Sequence, residues 1–224
     1  MTERPCDHEL PAEGLSARDA YRLMTDLVAP RPIAWVSTLD EDGGGNLAPF
    51  SYYQAMCSSP PTVVLGLGWN GDGTPKDTLR NALARRELTI SHVARPLAEV
   101  MNATSAAYGP QVSEWEALDV ASVPSRVVAP PRVAGALASL ECRVVRAVPL
   151  GQGQGTSPSS TAVFAEVVHF HVRHDLIERD ERGRLRAMDP ARLASVGRLG
   201  GIAYTGPDGV FEIPRPPRPT GSSE

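Results

Sequence analysis

The chain has 224 residues with 22 basic and 26 acidic side chains, a net charge of −4, which excludes a nonspecific nucleic-acid surface because that needs a concentrated cationic face. Its 42% hydrophobic content is enough for a core, while 21 prolines and 20 glycines imply many turns and short elements. No apolar run approaches the ~18 residues of a membrane span, the start MTERPCDHELPAEG has no secretory apolar segment, and the scattered Cys6, Cys57 and Cys142 make neither a disulfide framework nor a metal knuckle. A cytoplasmic protein without membrane or nucleic-acid partners is expected.

Residues 1–15 read as a loose leader, residues 16–213 as one folded domain and residues 214–224 as a tail too rich in proline and serine to pack. Ser16 with Asp19 is a capping signal for a helix whose stripe is Tyr21, Leu23, Met24, Leu27 and Val28, ending before Pro30. The period then changes. Ile33 to Thr38 reads as a strand, closed by the turn Asp40 to Gly45, and residues 46–56 pair back as the second arm of a hairpin. Pro49 makes the start of that arm an edge, a bulge or a place where a ligand meets the backbone. Thr62 to Leu67 is a third, wholly apolar strand, and a glycine-rich loop over 68–75 leads to a short helix from Leu79 to Arg86.

Leu88 to Val93 continues as a strand, and Leu97 to Ala107 as a helix with Leu97, Val100 and Met101 on one face. A proline-broken stretch over 110–134 is mostly irregular. Two long strands follow, Leu137 to Val148 and Ala162 to Val172, joined by the low-complexity GQGQGTSPSS. Short strands, long connections and few helices predict a mainly β fold, a barrel with appended helices. No Gly-x-Gly-x-x-Gly opens a βαβ unit and no Walker pattern is present.

One residue stands out by its rarity. Lys76 is the single lysine of the chain against 21 arginines. An ammonium is a compact point charge where guanidinium is a planar fork. In Lys76-Asp77-Thr78 it joins a hydroxyl and the free N–H groups of a helix start, a set that suits a phosphate dianion, with Asp77 read as the N-cap. Taken alone, an ordinary capped helix with a solvated lysine is the better explanation of the segment. The hairpin also brings Ser37 and Thr38 near Asn46-Leu47-Ala48-Pro49-Phe50-Ser51, where small residues and a proline expose backbone amides to a planar heteroaromatic ring.

The runs RPIAWVSTLDEDGGGNLAPFSYYQAM, SSPPTVVLGLG and PKDTLRNAL, followed by LAEVMNATSAAYG, PPRV, LEC, VFAEVVHFHV and RLGGIAY, resemble the flavin reductase-like family of FMN-binding split barrels over roughly residues 20–205. The resemblance implies a Greek-key split barrel, a homodimer, and FMN in a groove near the subunit interface. Ser37, Thr38, Lys76, Asp77 and Thr78 would hold the phosphate and ribityl chain, and Asn46, Ala48, Pro49 and Ser51 would line the isoalloxazine. Arg31 and Arg198 would add charge near the cofactor, and Asn102 and Tyr108 would approach it from the facing subunit. Family members carry phenylalanines where this chain has Tyr52-Tyr53, which alters the pocket edge without threatening FMN binding.

The implied activity is an NAD(P)H-dependent flavin reductase, moving hydride from NADH or NADPH to FMN, with FAD as a further substrate and a flavin-dependent monooxygenase as a partner. No side chain must act as acid or base in hydride transfer, so no catalytic residue is named. A noncatalytic flavin carrier and an FMN-retaining enzyme acting on an organic substrate are the alternatives. His169 and His171 lie two apart on a strand and share a face, as metal ligands would. No third ligand stands at a suggestive position, and strict alternation turns Glu166 to the opposite face, so no metal site is expected. Cys57 and Cys142 are read as buried structural thiols.

Overall fold

The computed structural model describes residues 8–109, 112–152 and 157–207. The tail, residues 1–7 of the leader and part of the GQGQGTSPSS segment lie outside them. Twelve strands are β1 (Arg31–Pro32), β2 (Ala34–Leu39), β3 (Gly45–Phe50), β4 (Tyr53–Ser58), β5 (Pro61–Gly68), β6 (Glu87–His92), β7 (Ser122–Val123), β8 (Arg132–Val133), β9 (Ala138–Leu150), β10 (Ser160–Val172), β11 (Gly197–Arg198) and β12 (Tyr204–Thr205). The α-helices are α1 (Ala17–Leu27), α2 (Asp77–Arg85), α3 (Ala98–Ala103), α4 (Glu114–Ala117) and α5 (Pro190–Leu193).

Seven strands form one antiparallel sheet in the order β3-β2-β6-β9-β10-β5-β4. Its two edges, β3 and β4, are consecutive in the chain, with only Ser51 and Tyr52 between them. Two residues reach across no more than roughly 10 Å, so the edges must meet and the sheet must curl into a barrel. This corrects the hairpin expected over 46–56: residues 45–50 pair with β2, whereas residues 53–58 pair with β5. The crossing is tight. Gly66 on β5 donates to Tyr52 O at 2.7 Å, and a Cβ at Gly66 would sit 2.9 Å from Tyr52 Cβ.

The barrel interior holds Val36, Leu65, Leu88, Ile90, Cys142 and Val163, and α2 closes one side with Leu79 and Ala82. A second core lies on the outer face of β2 and β3, where Trp35, Leu47, Met101 and Trp115 pack together under α3 and α4. Trp35 Nε1 donates to Thr104 Oγ1 at 3.0 Å, satisfying a polar group that burial would otherwise penalise. The helix expected over 97–107 is shorter: a 3₁₀ turn precedes α3, which ends at Ala103. Cys142 is buried as expected, but Cys57 is exposed, because β4 is an edge strand.

The long hairpin holds a further correction. β10 carries a bulge between Val167 and His169, so Val167 faces Cys142 while His169 faces Glu141. Before the bulge, Glu166 pairs with Arg143, two residues from Glu141 on β9. Glu166, His169 and His171 therefore share the outer face, because the extra residue cancels the alternation. Glu141 stands on that face too, fully buried under the segment 126–128.

Candidate functional site

The candidate site is a groove where α2 begins beside β3. α2 follows the loop 69–75, which Trp69 anchors by donating to Thr161 Oγ1 at 3.0 Å. Within that loop Thr74 Oγ1 donates to Asp72 Oδ1 at 2.6 Å, and this hydroxyl is the main reason the Asp72 carboxyl stays below its ordinary pKa. The groove encloses about 540 Å³, within the range of small-molecule sites. Among its walls are Asn46, Ala48, Pro49, Lys76, Asp77 and Thr78. A smaller cavity of about 130 Å³ shares Pro49 and Phe50 with it and brings in Ser51, Asn102, Arg198 and Tyr204. Tyr108 lines the main groove of its own chain, and Asn102 the smaller cavity beside it.

Asn46 joins strand and helix. Its Nδ2 donates to Thr78 Oγ1 at 2.8 Å and to Thr38 Oγ1 at 3.3 Å, and Asn81 Nδ2 also reaches Thr38 Oγ1 at 3.3 Å. Thr38 is fully buried beneath this network and supports the groove without lining it. Ser37 departs further from expectation: it is fully buried, and its Oγ has no hydrogen-bond partner among the described residues. It pairs with Leu47 and Thr89 across its neighbouring strands, and alternation along β2 turns it away from the α2 side that holds Thr38.

The helix cap also differs from expectation. Lys76, not Asp77, is the N-cap residue, and its side chain makes no capping bond. Asp77 opens the helix proper and pairs with Arg80 at 2.6 Å. The Lys76 stem runs past Gly68, where an added Cβ would lie 3.8 Å from Lys76 Cε. Lys76 lines the groove at the start of α2, whose first-turn N–H groups have no intrahelical partner. Arg80, one turn on from Lys76, lines the same groove; helical spacing of the PKDTLR run was the signal for it. Glu114 was not foreseen because it sits in a stretch read as irregular. Its carboxylate accepts Leu47 N at 2.9 Å, and burial pushes its pKa above the ordinary value.

Arg31 does not face the groove. It is buried, and Nη1 donates to Thr25 O at 2.5 Å and Val28 O at 2.8 Å while Nη2 donates to Leu199 O at 3.1 Å. Arg31 thus clamps the end of α1 to Leu199, and its Nε reaches Ser51 Oγ, at the smaller cavity, at 3.3 Å. Arg198 lies 4.5 Å from the centre of the Tyr204 ring, and Tyr204 Oη donates to Asn102 Oδ1 at 2.8 Å. A separate apolar cavity of about 510 Å³ opens at the barrel mouth between Ile33, Tyr53, Ile90, His92, Leu140 and Val196. It lacks the helix start and the lysine that line the groove.

Charge, hydroxyls and strand backbone lie together on one side of an antiparallel barrel. The chain belongs to the flavin reductase like domain family, which matches residues 27–188. It is 36% identical to an uncharacterized protein of Halalkalibacterium halodurans over 208 residues, 93% of this chain and 96% of that one. Among solved structures it is similar to nitrilotriacetate monooxygenase component B from Bacillus cereus, 30% identical with a TM-score of 0.85, covering 94% of this chain and 100% of that one. It is also similar to the 2-nitrobenzoate 2-nitroreductase NbaA of Pseudomonas fluorescens, 28% identical with a TM-score of 0.79, covering 97% and 99%. The fold is accordingly that of the flavin reductase split barrels, mainly β with a few helices. Among the described residues no helix is long and apolar enough to cross a membrane.

Proposed function

We propose that this protein is an FMN-binding oxidoreductase, an NAD(P)H-dependent flavin reductase. The observation that carries the reading is the groove itself, in which the single lysine stands at a helix N-terminus beside an Asn46–Thr78 hydrogen bond and an open strand edge. Those residues fit FMN. Lys76, Thr78 and the first-turn amides of α2 would take the phosphate, with Arg80 adding charge. Asn46, Ala48, Pro49 and Ser51 would border the ring, and Pro49, which lacks an N–H, leaves β3 unable to extend the sheet there. Bound flavin supplies the hydride-accepting chemistry, with NADH or NADPH as donor and FAD as a further substrate. The protein orients the ring and keeps one face open, and Arg198 with Tyr204 borders the space beside it.

Two family-level features complete the reading. The stripe Tyr21, Met24, Leu27 and Val28 on α1 is exposed, which supports a homodimer that covers it. The likeness to a monooxygenase component B supports a flavin-dependent monooxygenase as the consumer of reduced flavin. Residues 16–213 act as one domain, in the cytoplasm. A second reading, an FMN-retaining enzyme that reduces an organic substrate, is favoured by the apolar cavity at the barrel mouth.

Stopped-flow mixing of the FMN-loaded protein with NADH or NADPH tests the proposal: flavin absorbance bleaches with one nucleotide or both. Absence of bleaching with either overturns the reductase. Turnover with excess free flavin separates a diffusible-flavin reductase from an enzyme that keeps its FMN.

A further inference from the structure

The outer face of the β9–β10 pair gathers three potential metal ligands that play no part in the groove. Glu141 on β9 stands directly opposite His169 on β10 in register, and His171 follows on the same face. One carboxylate oxygen and one ring nitrogen from each histidine lie within 4.8 Å of one another. The two imidazole centroids are 4.7 Å apart. His171 Nε2 is hydrogen-bonded to Glu141 Oε1, while the ring of His169 has no hydrogen-bond partner among the described residues.

We propose that Glu141, His169 and His171 bind a first-row divalent transition metal such as Zn²⁺. Two imidazoles and one carboxylate are a donor set that such ions accept, whereas Mg²⁺ and Ca²⁺ require more oxygen ligands. The carboxylate is already oriented as a ligand should be. Arg126, Val127 and Val128 donate their backbone N–H groups to it at 2.7, 2.6 and 3.0 Å, an outer shell that holds both oxygens in place. The bulge in β10 is what brings both rings to this face.

Binding replaces the hydrogen bond between His171 Nε2 and Glu141 Oε1 with two bonds to the metal. A neutral ring carries its proton on Nδ1, an imidazolium releases its Nε2 proton to solvent, and Nε2 and Oε1 then both bond to the cation. His169 contributes the third bond. The His171 side chain retains 21% of its exposure, so solvent supplies the remaining position. A bound ion would tie β10 to the 126–128 segment through Glu141 and so stabilise that cover over the sheet.

The test is isothermal titration of EDTA-stripped protein with ZnCl₂, with CoCl₂ titrated in parallel and followed in the visible spectrum. The expected result is one saturable site per chain, cobalt bands of low-coordinate geometry and a rise in Tm on adding Zn²⁺. H169A leaves the Glu141–His171 hydrogen bond in place and should fold normally, yet bind Zn²⁺ at least ~100-fold more weakly, beyond the loss typical of an outer-shell residue. H174A, an exposed histidine outside the triad, should bind as the parent does. No saturable site in the stripped protein, or a site that survives H169A, overturns the proposal.

Discussion

Two polar clusters in this molecule use their donors in opposite ways. At the outer face of the long hairpin, the buried Glu141 carboxylate is met by three backbone N–H groups and one imidazole. Burial alone would raise its pKa, but these donors hold it down at about 2. In the groove, the Lys76 ammonium and the α2 start face solvent-accessible space with no capping bond from the lysine. The first cluster spends its hydrogen bonds on holding the chain together. The second leaves its donors free, whereas in the first the amides hold the carboxylate of the proposed metal site in place.

The largest effect should come from breaking the closed cluster. Glu141→Ala strands the amides of Arg126, Val127 and Val128 without an acceptor, so unfolding should become easier by about 3 kcal/mol or more. Denaturant melts would read this, and Glu141→Gln should recover part of it by keeping one acceptor. Parent-like stability in Glu141→Ala would erase the contrast between the clusters.

Breaking the open cluster should move binding and not folding. Lys76→Ala is expected to weaken FMN affinity by ~10–100-fold, the worth of a charge-assisted contact, while Tm of the FMN-free protein stays unchanged. Lys76→Arg should recover affinity only in part, because a fork does not replace a point charge in a tight anion site. Fluorescence titration of FMN decides both. Asn46→Ala sharpens the comparison, since its bonds to Thr38 and Thr78 serve fold and groove together. A stability loss of about 1 kcal/mol with a several-fold weaker affinity is expected.

The smallest effect concerns His92. Its Nε2 is 2.8 Å from Ser195 Oγ, its shielded Nδ1 has no partner among the described residues, and burial lowers its pKa. The unfolded chain therefore takes up a proton more readily than the folded one. The stability this contributes is present above the ordinary pKa of 6.5 and is lost as pH falls through and below that value. His92→Asn should flatten the dependence of Tm on pH between about 7 and 5; an unchanged slope would show that His92 does not carry it.

Much of this was readable along the chain. The cap at Ser16, confirmed by its bond from Asp19 N, needs only four consecutive residues. Apolar and β-rich runs located β2, β5, β9 and β10, and the PKDT segment located the helix start. What failed was non-local. Glu141 gave no signal, because its partners are backbone amides about 15 residues away, and backbone groups look alike in every sequence. The bulge at 167–169 inverted the expected facing of Glu166, since one extra residue costs nothing in composition and reverses every later side chain. Ser37 and Thr38 are adjacent and chemically similar, yet only Thr38 joins the network under the groove.

By itself, then, the sequence determined the strand and helix pattern, the turn chemistry and the isolation of one lysine at a helix start, because these follow from neighbours within a few residues. The tertiary structure decided that residue 50 would end one edge strand of the curled sheet and residue 53 start the other, that Arg31 would clamp carbonyls instead of facing the groove, and that a glutamate and two histidines would meet. Each of these depends on which distant strands pair and in what register, and register is set by burial of whole faces, not by any local run of residues.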